Sequence, residues 1–499
     1  MRPRMSLVAL LVATVACGNS TGPSSRPISF VDGDHQTDTI LATLPQNLVA
    51  RINKVPAGQS VAGQVMQFFP MTDSTGHWEA YLEPHGSTQT AVGVVAETTN
   101  ASGEATVGIR LSTVAEQGHV VVSVPALGYV DTAVFTTQPG QPARLQAAPF
   151  DTAVNVGGTV AYRTVVVDQF GNPLPGAVSY RVISGPATLS GSTVTMTALG
   201  IAVIGGAAGT LRDTTQISAV PKGVLAASGP NGIVVFNTDG TGLRTLASTV
   251  GAGTLKWSPS GTTIEFDQAG GIPVCLGSTS GLLQKTDLNG NVTTVVNASG
   301  TLEFTDYSRD GAWIYYSLVL GSFGSSSALY RVHPDGTAND SLVTQMPDFD
   351  IWPTVSPDGN SVAYVADHGG GSTDLRVLTV ATGAVTSLGL NAWSPEWSPS
   401  SNQIAYLSGT CSGPIAIVNA DGTGNRVLTT AQYLAGFDWS PDGQWIAAFN
   451  SSTARIDVIN VASGQAMILP FAWLNGPAWA PSSVSLSVVK SKGHAMPTK

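Results

Sequence analysis

Short stretches in which apolar and polar residues alternate, each closed by turn-forming residues, recur along most of this chain. In segment 48–53, for example, Leu48, Ala50 and Ile52 share one face, as in a half-buried strand. No long stretch repeats apolar residues with a period near 3.6, so few helices are expected. The pattern therefore predicts an all-β chain.

Composition agrees with many short strands and turns. The 499 residues include 56 Gly and 30 Pro, which favour turns, and this length predicts two to four domains. Most of the net charge of −10 comes from residues 223–499, which carry 11 basic and 19 acidic residues, a balance of −8. A mildly acidic surface argues against nucleic-acid binding, which requires basic patches.

The first 26 residues predict an export signal and a tether. Arg2 and Arg4 precede an apolar segment, 6–16, that is too short to span a bilayer. The following residues, Val-Ala-Cys at 15–17, resemble a bacterial lipobox, which implies a signal peptide over 1–16 and a lipid on Cys17. Residues 17–26 then form a tether. The alternative is an ordinary signal peptide that is cleaved after Ala16.

Two segments precede the repeats and resemble bacterial Ig-like domains. Segment 27–140, with TTNASGEA at 98–105, is similar to the invasin/intimin type, and segment 141–221 carries VVVDQFGNPLPG at 165–176. The resemblance implies two β-sandwiches that act as spacers or, less often, as adhesive units. Residues 71–90 are an insertion for this family and are expected to form a long loop or hairpin.

A repeat of 40 to 50 residues dominates the rest of the chain. Each copy has an aromatic or apolar anchor residue, a Ser-Pro-Asp-Gly-like turn and further strands, and the period indicates propeller blades. A strand-and-turn element at 233–242 has no anchor before it, and the last anchor has no such element after it. The sequence therefore predicts a six-bladed β-propeller over 222–489, with a composite closing blade and a disordered tail at 490–499. The anchors are Trp257, Tyr307, Val355, Trp397, Trp439 and Trp479.

The repeat has a family resemblance. WSPDG at 439–443 and NADGTG at 419–424 resemble TolB-type, WD40-like propeller repeats. Because Ig-like modules replace the N-terminal domain of TolB, the partners of TolB are not expected to apply here. Propellers carry many unrelated activities, so the resemblance indicates fold more than function.

One set of polar positions in the repeat is not expected to lie in the apolar core. The residue before each anchor is expected to face the central channel, and these positions form a ring that could hold a ligand or a cation, since hard cations prefer oxygen ligands. In the alternative, these groups bond to one another or to channel water. Ca²⁺ is the one cofactor considered, and no His/Cys metal centre is predicted. The candidates are Lys256, Asp306, Thr354, Glu396 and Asp438, with Ala478 as the sixth position.

The sequence also predicts the state of the two cysteines in the propeller segment. Cys275 and Cys411 are expected as thiols, because their blades lie opposite one another, unless long loops meet over the face.

No catalytic residue is assigned, which favours a non-enzymatic protein that binds a protein or a glycan. It is expected to be a lipid-anchored monomer of the cell envelope, facing the periplasm or the surface of an outer membrane. The alternatives are an extracytoplasmic hydrolase or lyase acting at the channel mouth, and an adhesin-like structural protein.

Overall fold

The computed structural model is built almost entirely of β-strands, as the residue pattern predicts. Chain contacts divide it into two units, one comprising residues 1–146 and 165–177, the other residues 147–164 and 178–499. The structure describes residues 26–486 except 88, 91–92, 150–151, 249–251, 269–279, 320–326, 344–348, 370, 400–401 and 473. The predicted signal peptide, the lipidation site Cys17 and the tail therefore lie outside the described residues.

In the first unit, two sheets enclose one apolar core. The sheets have the orders β1-β3-β7-β5 and β2-β9-β8-β4-β6, and alternate residues such as Leu48, Phe68 and Phe135 are buried between them. The segment 71–90 forms a short hairpin, with Thr72 paired to Trp78, and then supplies β5. The elements are β1 (Ile28–Asp32), β2 (Thr37–Thr39), β3 (Leu48–Ile52), β4 (Val65–Pro70), β5 (Ala80–Pro84), β6 (Val95–Thr98), β7 (Glu104–Leu111), β8 (Gln117–Val124), a 3-10 turn (Pro125–Leu127) and β9 (Tyr129–Gln138).

The turn at residues 168–172 belongs to this first unit. Asp168 is buried and accepts hydrogen bonds from the backbone amides of Gly140, Phe170 and Asn172 at 2.9–3.0 Å. Asn172 in turn accepts from the amide of Ala115 at 2.9 Å, and its side chain donates to the Thr113 carbonyl at 2.8 Å. The turn thereby joins three separate segments of the unit.

The second group of strands forms a smaller core in the other unit. There the sheet orders are β11-β19-β18-β15 and β12-β17-β16, and Tyr162, Val194 and Ile204 are buried between them. The elements of segment 144–220 are β10 (Arg144–Ala148), β11 (Thr152–Asn155), β12 (Thr159–Ala161), β13 (Arg163–Val167), β14 (Pro173–Leu174), β15 (Ser179–Ser184), β16 (Ala187–Ser190), β17 (Thr193–Met196), β18 (Gly200–Ala208) and β19 (Leu211–Val220), of which β14, residues 144–146 of β10 and residues 165–167 of β13 belong to the first unit.

The remaining strands build the propeller of the same unit. They are β20 (Val224–Gly229), β21 (Gly232–Asn237), β22 (Arg244–Ala247), β23 (Ala252–Trp257), β24 (Thr263–Gln268), β25 (Leu282–Asp287), β26 (Val292–Asn297), β27 (Thr301–Tyr307), β28 (Ile314–Val319), β29 (Ser327–Val332), β30 (Asp340–Val343), β31 (Phe349–Val355), β32 (Ser361–Asp367), β33 (Thr373–Thr379), β34 (Ala384–Ser387), β35 (Ala392–Trp397), β36 (Gln403–Ser408), β37 (Ser412–Gly413), β38 (Ile415–Asn419), β39 (Arg426–Val427), β40 (Tyr433–Trp439), β41 (Trp445–Asn450), β42 (Arg455–Asn460), β43 (Ala466–Ala472) and β44 (Asn475–Trp479).

Among the described residues these strands form six sheets, which we call blades. Blade 1 is β23–β26, blade 2 is β27–β30 and blade 3 is β31–β34. Blade 4 is β35-β36-β38-β39, and blade 5 is β40–β43 with the short β37 beside β40. In the closing blade the last strand, β44, pairs with β20 and so joins the first three strands of the propeller. This arrangement confirms the predicted six-bladed propeller.

The anchor turns have a shared geometry. In blade 5, the Ser440 hydroxyl donates to Asp442 at 2.5 Å and accepts from the amide of Trp445 at 2.9 Å. Gly443 has a φ of +68°, a conformation that favours glycine. The anchor itself packs on the preceding blade, as Trp439 does with Ile417 of blade 4. The repeated motif therefore holds each blade to its neighbour.

The second core and the propeller are also packed together. Ala153 and Val220, on β11 and β19, belong to one buried apolar cluster with Trp445, Met467 and Phe471 of blade 5. Apolar burial contributes about 25 cal/mol per Å². The junction is thus part of the folded core of this unit.

One sequence-based expectation is wrong: Cys411 is disulfide-bonded. The other two cysteines, Cys17 and Cys275, lie outside the described residues. The expectation of a free thiol was based on the distance between the strands of opposite blades. Cys411 lies instead in the loop between β36 and β38, and a fully extended loop can span at most about 3.3–3.6 Å per residue.

Candidate functional site

The innermost strand of each blade ends at its anchor, and the anchor turns surround one cavity on the propeller axis. The cavity has a volume of about 280 Å³. Four of the predicted ring residues line it: Lys256, Asp306, Glu396 and Asp438. Thr354 is buried and bonds to Asp306, whereas Ala478 is buried in the apolar cluster of the closing blade.

Lys256 lies at the centre of the charged groups. Its ammonium donates to Glu396 Oε2 at 2.7 Å and to Asp438 Oδ1 at 3.2 Å, and only 8% of its side chain is exposed. Because blades 1 and 4 are three blades apart in a ring of six, the first of these ion pairs joins opposite blades. A cation of the protein itself thus lies among the ring carboxylates.

The other carboxylates are held by the backbone. Asp306 accepts from the amide of Val355 at 2.8 Å and from the Thr354 hydroxyl at 3.0 Å. Asp438 similarly accepts from the amide of Trp479 at 2.7 Å. Each bond reaches from one blade to the next, so the acids orient the innermost strands as well as facing the cavity.

Burial and the neighbouring charges together shift the pKa values of the ring residues. Burial opposes the charge of Lys256, but Asp438, Glu396 and Asp306 outweigh that effect and raise its pKa. Burial also raises the pKa of Glu396 and of Asp306, with Lys256 opposing the rise and the neighbouring acids adding to it. Burial therefore favours the protonated form of Glu396, whose pKa rises to about 8.

The cavity rim consists of the turn residue two positions after each anchor. Five blades carry proline there, whereas blade 2 carries Arg309. The Arg309 guanidinium donates to the Pro399 carbonyl of blade 4 at 2.5 Å. The rim is therefore largely apolar, with a single cation that reaches across it. The prolines are Pro259, Pro357, Pro399, Pro441 and Pro481.

Sequence reasoning missed an aromatic group behind the ring. Three residues before their anchors, Phe304 and Trp352 adopt positive φ values of 45° and 56°, an unusual conformation for bulky side chains. Their rings are 5.0 Å apart, and Trp352 also contacts Trp393 at 5.1 Å. The corresponding residues Gly436 and Gly476 show the same sign of φ. The strand register shifts at this position in blades 2, 3 and 5, and glycine at 436 and 476 was the sign of it in the sequence.

Glu265 is a second residue that the sequence did not single out. It pairs with Lys256 across β23 and β24, is fully buried, and neither of its carboxyl oxygens has a hydrogen-bond partner among the described residues. Burial raises its pKa well above the usual value. The carboxyl therefore stays protonated to a higher pH than that of an exposed glutamate.

Within the described ranges, no group of three or more His, Cys, Asp or Glu side chains is placed to hold a metal ion. No helix in the described part of the chain has the length and hydropathy to cross a bilayer.

The second unit thus contains a β-propeller with a charged pocket at one mouth. No protein-family model matches the chain, and no curated protein matches its sequence. A TolB candidate from Agrobacterium tumefaciens is similar at 19% identity and a TM-score of 0.39, over 52% of this chain and 92% of that one. A chain of a nidogen/laminin complex gives 13% and 0.42, over 52% and 99%.

An oligogalacturonate lyase in complex with manganese is similar at 13% identity and a TM-score of 0.30, over 63% of this chain and 74% of that one. At these identities and TM-scores, no activity, ligand or partner is carried over to this chain.

Proposed function

We propose that this chain is a non-enzymatic, lipid-anchored protein of the cell envelope whose propeller binds a partner at the cavity mouth. The observation that carries the proposal is the cavity itself, with charged side chains in its floor and prolines at its rim. Concave sites with a few convergent polar groups are the usual binding sites of folded proteins.

The leader segment and the disulfide support a position outside the cytoplasm. Cys17 follows a lipobox-like segment, and Cys411 is disulfide-bonded, which is common in oxidising compartments and rare in the cytosol. The two N-terminal modules, proposed to be Ig-like, act as a spacer, and each of the two apolar cores before the propeller supports a folded module.

Site-specific crosslinking in cells tests the proposal. A photo-crosslinking residue at the rim position Pro357 is expected to capture one defined partner. The same residue at Val427, which is 61% exposed on the outer strand of blade 4, serves as the matched control. Capture of the same species from both positions, or of none from the rim, would contradict binding at the mouth.

A further inference from the structure

A second and larger cavity lies beside the mouth of the propeller. Its volume is about 650 Å³, against about 280 Å³ for the mouth cavity. Pro441, Trp479 and Pro481 line both cavities, so the two adjoin at the anchor turns of blade 5 and of the closing blade. We call the second cavity the side cleft, because it continues from the mouth to the second core, whose Asn155 also lines it.

The segment that joins the second core to the propeller forms one wall of the side cleft. The Thr238 hydroxyl donates to the Pro221 carbonyl at 2.6 Å, and the Thr238 amide donates to the Gly223 carbonyl at 3.0 Å. Gly223 also lies so close to Trp479 that a Cβ atom there would be 2.7 Å from the indole nitrogen. These contacts fix the wall, so the cleft is formed before a ligand enters it.

The apolar part of the lining is aliphatic. Pro221, Val484 and Leu486 line the side cleft and are partly exposed. Trp445 and Trp479 also line it but are each only 6% exposed, so neither offers an open indole face to a sugar ring. An extended peptide directs alternate side chains to opposite sides and suits a cleft that has both apolar and charged parts.

The charged residues of the side cleft are, among the described residues, Asp239, Asp442 and Lys222. Asp239 accepts at Oδ1 from the amide and the hydroxyl of Thr241, and Asp442 accepts at Oδ1 from the Ser440 hydroxyl. No described residue donates to Oδ2 of either acid. Each carboxylate therefore keeps one oxygen for a ligand, and two acids against one lysine favour a cationic ligand.

We infer that the side cleft binds an extended peptide segment of a partner protein and receives a lysine or arginine side chain at Asp239 and Asp442. The inference rests on the proposed binding function of the mouth and names the class of its partner, whose chain continues from the mouth into the cleft. Lysine and arginine form charge-assisted hydrogen bonds with carboxylates, and the aliphatic lining accommodates the apolar side chains of the segment.

Fluorescence anisotropy with the purified full chain tests the inference. The probe is a C-terminally amidated hexapeptide of alternating alanine and lysine with fluorescein on its amino terminus, about 20 Å long when extended. The same peptide with glutamine in place of lysine is the control. The lysine probe is expected to bind at least fivefold more tightly, because the glutamine probe forms no charged contact with the two acids. Equal binding of both probes, or tighter binding of labelled chitohexaose than of the lysine probe, overturns the inference.

Two double variants separate the site from the overall charge of the protein. Asp239→Asn/Asp442→Asn is expected to weaken binding of the lysine probe at least fivefold. The matched control is Asp421→Asn/Asp358→Asn, because these acids make the same turn hydrogen bonds in blades 4 and 3 but do not line the side cleft. The control is expected to bind like the parent. Unchanged binding in the first variant, or an equal loss in both, contradicts the inference.

Crosslinking in cells separates this inference from the binding function on which it rests. A photo-crosslinking residue at Ser485, an exposed position of the side cleft, is expected to capture the same species as the one at Pro357. Defined capture at Pro357 without capture at Ser485 would leave the mouth as a binding site and reject the side cleft. Capture at neither position would reject both.

Discussion

Lys256 and Glu396 form an ion pair of 2.7 Å between opposite blades, although 140 residues separate them in the chain. Both side chains are largely buried, and the ammonium also serves Asp438. Removal of one partner from a buried ion pair leaves an uncompensated charge, which costs more than the pair contributes. Replacement of either partner alone is therefore expected to destabilise the closed ring of blades.

Replacement of Lys256 by Met is expected to destabilise the propeller by about 3–5 kcal/mol at pH 7, because three carboxylates then face one another without the ammonium. Denaturant unfolding followed by tryptophan fluorescence measures this, since nine of the ten tryptophans lie in the propeller segment. Lys54→Met, at an exposed position of the first unit, is the control and should have little effect. A loss as large at pH 4 as at pH 7 would contradict this explanation, since burial raises the pKa of Glu396 and of Asp306 and the lower pH neutralises both.

Asp267 predicts a pH dependence of stability. The side chain is buried on β24 and accepts the amide of Thr254 at 2.6 Å, and burial raises its pKa to about 7, against about 3.9 in an unfolded chain. The protonated carboxyl therefore stabilises the fold fully below about pH 4, and this contribution is lost as the pH rises through about 7.

Asp267→Asn removes the titration and keeps the acceptor oxygen. At pH 8 the variant is expected to be more stable than the parent by up to about 4 kcal/mol, the equivalent of three pKa units, and at pH 4 the two should be alike. The measurement is denaturant unfolding at both pH values. A constant difference between the two proteins across this range would show that Asp267 does not titrate as proposed.

The turn at 168–172 predicts local effects in the first unit. Asp168→Ala removes the acceptor of the Gly140 amide, whereas Asn172→Ala removes that of the Ala115 amide. Hydrogen exchange should accelerate at Gly140 in the first variant and at Ala115 in both, and each variant is expected to lose about 1–3 kcal/mol. Gln169→Ala, at the exposed neighbouring position, should leave both amides protected; slow exchange in all three would refute the role of the turn.

The lipid anchor is tested at Cys17. In cells that process the leader, the parent protein is expected in the membrane fraction, and Cys17→Ser is expected in the soluble fraction, because the acyl chains supply the membrane affinity. Cys411→Ser is the control and should remain with the membrane. If the Cys17→Ser protein also stays in the membrane fraction, the lipid is not its anchor.

The disulfide of Cys411 gives a prediction that depends on the lipid anchor. A lipidated Cys17 has no thiol to offer, so Cys411 is expected to be joined to Cys275, the one remaining cysteine. Mass spectrometry of a non-reduced digest should then detect the peptides that contain these two residues as one species. A link from Cys411 to Cys17 instead would disprove both the pairing and the lipid.

The sequence by itself determined the strand content, the six blades and the positions around the mouth, because alternation, turn chemistry and a repeat period are local properties that each blade carries. It placed Lys256, Asp306, Glu396 and Asp438 at equivalent positions before their anchors, and equivalent positions of a closed ring must converge on its axis.

Only the tertiary structure decided how these side chains pair. Distances across the ring decide that Lys256 bonds to Glu396 in the opposite blade and that Arg309 reaches Pro399. They also decide that Trp397 lacks the acceptor found for Trp257 and Trp439. The disulfide of Cys411 likewise depends on the course of a loop. Sequence separation carries no information about such distances, since closure of the ring brings together residues more than a hundred positions apart.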